Sequence, residues 1–260
     1  MLEIKNVTIS YKDRPTVKNF SMTLKKGEIA SIVGESGSGK TTVIRAVLGL
    51  LPGGGRVTEG DILFEGKSLL KNTAEEWRNL RGTDISMIFQ DSGAMLNPIR
   101  KIGSVFVEYI RTHEKVSRKA AWEKGREMLE QMRLPSSDNI MQSYPFQLSG
   151  GMRQRVGIAM AMTFQPKLLL ADEPTSALDV TTQAQIVRQM MELRDEWGTS
   201  IIMVTHNLGV AAYMSDQILV MKEGQIADTG SRDQILKGGR SIYTQELLEA
   251  VPSLGGDRYV

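Results

Sequence analysis

The 260 residues contain no cysteine, which excludes disulfides and any metal site held by thiolates. Only two histidines are present, His113 and His206. Neither sign of charge dominates: 32 Lys and Arg stand against 30 Asp and Glu, a formal net charge of +2. That balance gives no argument for a nucleic-acid partner. Long apolar runs are missing too. Stretches such as Ile201–Val204 fall far short of the ~20 residues needed to span a bilayer. Glu3 and Lys5 interrupt the N-terminus at once, so it carries no signal-peptide pattern. What remains is a soluble cytosolic chain, long enough for one large domain or a core with a subdomain. Any membrane role would need a membrane-embedded partner.

The chain is organised around Gly34-Glu35-Ser36-Gly37-Ser38-Gly39-Lys40-Thr41, followed by Thr42, which fits G-x-x-x-x-G-K-[ST]. An apolar run, Ile29–Val33, reads as a buried strand before it, and Thr42–Leu48 reads as a helix after it. This strand–loop–helix setting is what a phosphate-wrapping loop requires. Glycines let successive N–H groups point into one concavity, and the helix adds the positive end of its dipole. Lys40 would reach the β- and γ-phosphates, and the Thr41 hydroxyl would ligate Mg²⁺. Kinases, GTPases and helicases also carry such a loop, so the rest of the chain must choose among them.

Ahead of the loop, Leu2, Ile4, Val7, Ile9 and Tyr11, then Val17, Phe20, Met22 and Leu24, alternate with polar residues. They predict two half-exposed strands joined by Lys12–Pro15. Tyr11 is either an adenine-stacking ring or an ordinary strand aromatic. Further on, Ala74–Arg81 reads as a short helix and Ile85–Phe89 as a strand with Gln90 at its end. Ligands bind at the carboxyl ends of strands in open α/β sheets, so Gln90 is a nucleotide contact or simply a polar strand end. From Asp91 to about Gln165 strand signals disappear. Ser117–Met132 predicts an amphipathic helix capped by Ser117, broken at Leu134–Asp138. This stretch reads as a helical subdomain inserted into an α/β core.

Leu148-Ser149-Gly150-Gly151 opens another helix through Met162, with an N-terminus suited to an anion. Leu168–Ala171 is an apolar strand ending in Asp172-Glu173. Carboxylates at a buried strand end are costly unless they meet a cation. Asp172 would hold Mg²⁺ through its water shell, and Glu173 would polarise the attacking water. A helix then carries Ile186, Met190, Leu193 and Trp197 on one face and stops at Gly198. Ile201–Thr205 is a further buried strand, and its terminal His206 reads as a phosphate contact; His113 reads as structural. Gln217–Met221 and Gln225–Asp228 predict a hairpin, and Ser241–Val251 a terminal helix.

Taken together, these motifs resemble the ATP-binding subunit of an ATP-binding cassette (ABC) transporter over nearly the whole chain. Gly34–Thr41 matches Walker A, Gln90 the Q-loop and Leu148–Gln154 the LSGGxxQ signature. Leu168–Asp172 with Glu173 matches Walker B, Ser176–Asp179 the D-loop and His206 the H-loop, while Tyr11 falls at the adenine-stacking position. Within the family, Met87–Asp91 with Leu96-Asn97-Pro98, Leu48–Pro52 and the tail Tyr243–Leu248 resemble the peptide and nickel importer (Opp/Dpp/Nik) branch. Arg81-Gly82 resembles its D-type subunit. The chain departs from that pattern at Asn207, where Asp is usual, and at Ser92-Gly93. Oligopeptide D-type relatives often end in a cysteine-rich extension, so the absent cysteines incline the resemblance toward the shorter nickel, metal-chelate and dipeptide relatives.

The resemblance implies an α/β P-loop NTPase (RecA-like) core with a parallel sheet, an N-terminal antiparallel β subdomain and an inserted α-helical subdomain. The single domain would comprise 1–90 and 166–230 as core, 91–165 as helical subdomain and 231–260 as tail. It implies ATP and Mg²⁺ as ligands, the metal surrounded by Thr41, Gln90 and Asp172. Catalysis is implied for Glu173, His206, Lys40 and Gln90. Ser149, Gly150, Gly151 and Gln154 would close over the nucleotide of a second, paralogous or identical ATPase subunit, with Asp179 linking the two nucleotide sites. Two membrane permease subunits and, indirectly, an extracytoplasmic solute-binding protein complete the implied assembly, at the cytoplasmic face of the cell membrane. The opposing class is a soluble ABC-type ATPase acting on nucleic acid or ribosomes. Such proteins typically carry a coiled-coil insertion or two cassettes in one chain, and neither pattern is seen here.

Overall fold

In the computed structural model, residues 1–250 are described except Ala94 and Ala177. In chain order the elements are β1 (Leu2–Tyr11), β2 (Arg14–Leu24), β3 (Ile29–Val33), α1 (Lys40–Val47), β4 (Arg56–Phe64), β5 (Lys67–Ser68), α2 (Ala74–Leu80) and β6 (Ile85–Ile88). There follow α3 (Ile102–His113), α4 (Arg118–Gln131), α5 (Ser137–Gln142), α6 (Gly150–Met162), β7 (Leu168–Asp172) and α7 (Val180–Trp197). The chain closes with β8 (Ser200–Thr205), α8 (Leu208–Met214), β9 (Gln217–Lys222), β10 (Gln225–Ser231), α9 (Arg232–Leu236) and α10 (Ile242–Glu249). Two compact units emerge: 1–74 with the described residues from 200 onward, and 75–199.

The first unit holds an antiparallel sheet in the order β2-β1-β4-β5. Alternating burial along β2, with Val17, Phe20, Met22 and Leu24 inside, follows the period-2 pattern of its sequence. The unit also pairs β3 in parallel with β8 on one side and β9 on the other. Every residue of β3 and β8 is buried. A parallel strand covered on both faces needs a near-continuous apolar run, which Ile201–Val204 supplies and Ile29–Val33 supplies except at Ser31, whose buried hydroxyl is hydrogen-bonded to that of Ser215. The β9–β10 hairpin forms as the sequence suggests. Helix α10 covers the predicted terminal helix to Glu249; Val251 lies outside the described residues.

In the second unit β6 and β7 pair in parallel among helices α2–α7. Helix α4 starts at Ser117, whose hydroxyl accepts the Ala120 N–H at 3.1 Å, and α7 ends at Gly198 in the left-handed region. Helices α3 and α4 approach closely at two glycines: Gly103 lies under Trp122 and Gly125 under Phe106. Besides residues 91–165, the unit takes in α2, β6, β7 and α7. His113 packs edge-on against Tyr109 and Phe164, each at 5.2 Å between ring centres, in line with its structural reading. Burial lowers its pKa and pushes the Tyr109 hydroxyl up to about 12.

Candidate functional site

In the first unit, strand register places the residues that the sequence suggests as phosphate contacts. Val33 pairs with Thr205, so the next residues, Gly34 and His206, leave neighbouring strands at the same level. Gly34 sits at φ +149, and a Cβ there would run into the Met221 carbonyl oxygen. No other residue fits this position. The loop is tied to the hairpin: the Gly224 N–H donates to the Ser38 carbonyl at 3.1 Å. Helix α1 begins at Gly39 with φ +100 and no side-chain cap. That leaves the job of meeting its first N–H groups to the surroundings, as an anion-binding helix start requires. Lys40 is buried, and its ammonium donates to the carbonyls of Gly34 and Glu35, both at 2.7 Å, and to Ser38 Oγ at 3.4 Å. Ser38 is buried, Thr41 and Thr42 half-buried, Ser36 and Gly37 exposed. Tyr11 ends β1 with its half-exposed ring against Gly55.

Beyond His206, Asn207 caps α8, accepting the Val210 N–H at 3.2 Å. An aspartate would make the same bond, which is why the family's usual residue is replaceable here.

The second unit brings together a different set. Ile88 pairs with Ala171, and two residues on, Gln90 and Glu173 face each other. Gln90 Nε2 lies 3.5 Å from Glu173 Oε2. Asp172 is buried at the strand end. Glu173 holds φ +45, a left-handed backbone that costs a non-glycine residue roughly 1–2 kcal/mol. Strain of that kind is tolerated where the geometry itself is needed.

Ser149 caps α6 by accepting the Met152 N–H at 3.2 Å, and Gly150 next to it faces open space. Gly151 is closer packed: a Cβ there would lie 2.9 Å from Thr182 Cγ2. Gln154 is buried and donates to the Pro174 carbonyl at 2.6 Å, tying α6 to the segment after Glu173. Asp179 caps α7, with Oδ1 accepting the Thr182 N–H at 2.9 Å and Oδ2 the Thr182 hydroxyl at 2.7 Å. The bond from the Thr182 N–H, followed by that from its hydroxyl, lowers the Asp179 pKa. The Ser92-Gly93 departure has a packing reason. Ser92 is buried with its Cβ against Gly157, Gly93 lies against Arg153, and the Ser92 hydroxyl donates to the Phe89 carbonyl at 2.8 Å. Small residues let the segment after Gln90 sit directly on α6.

The sequence reading passed over one residue, Tyr243, whose hydroxyl accepts the Glu35 N–H at 3.1 Å. Its only sequence signal was its place in the tail used for the branch resemblance. Helix α10, which carries it, is fixed by Asp228. Oδ2 of that buried carboxylate accepts the N–H groups of Arg240 at 2.5 Å and Ser241 at 3.0 Å and the Thr244 hydroxyl at 3.1 Å, and Oδ1 accepts the Thr229 N–H at 2.9 Å. Burial alone would raise the Asp228 pKa; the donated bonds outweigh it and hold it below the ordinary 3.8. A depressed carboxylate contributes stability that is present above its ordinary pKa and lost as pH falls through the folded one. Anchoring of α10 should therefore weaken only below about pH 4. Asp228→Ala, which strands four donors, should lower unfolding stability by about 2 kcal/mol or more at neutral pH. Denaturant titration across pH checks both.

A glycine-rich loop of this form holds a triphosphate. A strand-end carboxylate beside an amide suits an attacking water. Several classes of P-loop NTPase combine the two, and similarity to known proteins decides among them. The chain belongs to the ABC transporter family, whose model matches residues 17–176. It is 45% identical to the oligopeptide transport ATP-binding protein OppD of Bacillus subtilis, over 98% of this chain and 72% of that one. It is 42% identical to the glutathione import ATP-binding protein GsiA of Escherichia coli K12, over 98% of this chain. The chain spans only 42% of GsiA's length. Among solved structures, the dimeric post-hydrolysis state of the ATP-binding cassette MJ0796 bound to ADP and Pi is similar with a TM-score of 0.79, at 29% identity over 89% of this chain and 99% of that one. That of cbiO1 from Clostridium perfringens, part of the ABC transporter complex cbiONQ, gives 0.78 at 25% identity over 91% and 90%. The fold is therefore the α/β one expected, and these similarities favour a transporter ATPase over the nucleic-acid class. No helix among the described residues is long and apolar enough to cross a membrane.

Proposed function

We propose that the chain powers a membrane importer of peptides, with two permease subunits and a solute-binding protein as its partners. The observation that carries this reading is the match, across 98% of the chain, to ATP-binding proteins named for oligopeptide transport and glutathione import. Nickel and metal chelates stay within the same proposal, on the branch resemblance of Met87–Asp91, Leu48–Pro52 and Tyr243–Leu248. Glutathione is itself a small peptide, so peptides are the first cargo to test. The working place is the cytoplasmic face of the membrane.

Lys40 and the loop N–H groups from Gly37 to Thr42 hold the β- and γ-phosphates, with Tyr11 against the adenine. Glu173, oriented by Gln90, holds and polarises the attacking water, and His206 contacts the γ-phosphate. Thr41, Gln90 and Asp172 offer hydroxyl, amide and carboxylate oxygens, a hard donor set suited to Mg²⁺ bound jointly with substrate phosphates. These three residues would hold the ion, which when bound would neutralise charge on the triphosphate. Ser149, Gly150 and Gly151 of a second ATPase subunit, identical or paralogous, cover the same triphosphate, and Asp179 links the two halves. Gln154 keeps that loop in place through Pro174.

The test is to co-purify the chain with its permease subunits and solute-binding protein and measure ATP hydrolysis. Peptides loaded on the binding protein should stimulate turnover several-fold. Stimulation by nickel chelates and not by peptides would move the cargo. Response to neither, with salt-dependent stimulation by DNA or ribosomes, would overturn the import reading.

A further inference from the structure

We infer that Tyr243 of the C-terminal helix α10 is a positioning residue for the phosphate loop; this deepens the ATPase reading and rests on it. The peptide unit between Gly34 and Glu35 is held from both sides. Its N–H donates to the Tyr243 hydroxyl at 3.1 Å, and its carbonyl accepts from the Lys40 ammonium at 2.7 Å. In a trans peptide these two groups point in opposite directions, so the two side chains fix one plane between them. Bonds in series through one amide also polarise each other. The orientation of Lys40 is thereby coupled to a residue some two hundred positions later in the chain.

The clamp is rigid because Tyr243 is. Its buried ring belongs to a core cluster with Val33, Leu208, Ala211, Ile218, Val220 and Ile235, and Val33 is the residue just before the loop. The Lys222 ammonium lies over the ring at 4.6 Å from its centre. Lys222 itself sits at the hairpin turn whose Gly224 N–H holds Ser38. Thr244, next along α10, is fully buried on Asp228. The tail thus anchors the loop at its second residue while the hairpin anchors it at its fifth.

The hydroxyl can be separated from the ring. Tyr243→Phe keeps the packing and the Lys222 contact and removes only the hydroxyl, with its bonds to the Glu35 N–H and side chain. A neutral hydrogen bond of this kind corresponds to about a fivefold change in an equilibrium constant. With the full chain, Tyr243→Phe should raise KM and Kd for Mg-ATP about fivefold, leave kcat within about twofold, and lower the unfolding temperature by no more than about 2–4 °C. Tyr243→Ala should lose both affinity and thermal stability, and Phe should restore the second without the first. Ile242→Ser, at an exposed neighbour on the same helix, should change neither. If Phe restores nucleotide affinity along with stability, Tyr243 is a core residue only and the inference falls. A wild-type chain that binds no Mg-ATP at all would instead sink the ATPase reading, so the two failures are distinguishable.

Discussion

Glu173→Gln should bind Mg-ATP at least as tightly as the wild type and hydrolyse it roughly a hundred to ten thousand times more slowly, the range for removing a positioned general base. The substitution is nearly isosteric. It keeps the backbone at φ +45, so the local strain is unchanged, and it retains an oxygen within reach of Gln90 Nε2. Only the charge and the basicity are removed. Losing a carboxylate also removes repulsion toward the triphosphate, which favours the bound state. Binding and turnover should therefore separate: calorimetry reports retained affinity, phosphate release reports the loss. Thermal unfolding should not move, because Glu173 is only half-buried and its contact with Gln90 is long. Turnover at the wild-type rate in this variant would take Glu173 out of the reaction.

How much of this was legible beforehand differs by residue. The buried strands were readable because an α/β sheet covered on both faces demands apolar runs: Leu168–Ala171 is unbroken, and Ile29–Val33 is interrupted only by the small Ser31. Glu173 was legible as a carboxylate ending such a strand. Its closeness to Gln90 was not, since it depends on Ile88 pairing with Ala171 rather than with a neighbour one residue away. Helices α5, α8 and α9 escaped the reading: they span only five to seven residues, and α5 begins inside the Leu134–Asp138 stretch read as a break. Helix α3 was read only as part of the helical subdomain, without bounds of its own. The role of Ser92-Gly93 could not be seen in one dimension, because it answers to glycine and arginine on a helix some sixty residues later. Tyr243 was invisible for the same reason: its hydroxyl matters through a backbone N–H, and backbone groups carry no sequence signature.

Gly150→Asp should leave the fold at least as stable and yet reduce turnover about a hundredfold. The two effects have opposite signs because they arise in different places. Within the chain, Gly150 opens α6 and nothing lies within 4 Å of where its Cβ would be. Replacing glycine in a helix, and placing a negative charge in the first turn, each stabilise by roughly 0.5–1 kcal/mol. A fold-centred account therefore predicts a harmless or stabilising change. If the loop instead closes over a partner's triphosphate, the new carboxylate sits against phosphate charge and removes a contact worth roughly 3 kcal/mol in the transition state. Mixing locates the defect. With the chain paired to itself, Gly150→Asp and Glu173→Gln proteins are each inactive alone. A mixed dimer retains one intact pairing, Glu173 of the first chain with Gly150 of the second. Hydrolysis should reappear on mixing, up to half of wild-type turnover per mixed dimer if the sites work independently. Were the loop to serve the nucleotide of its own chain, every site in the mixture would carry one of the two lesions and no activity would return.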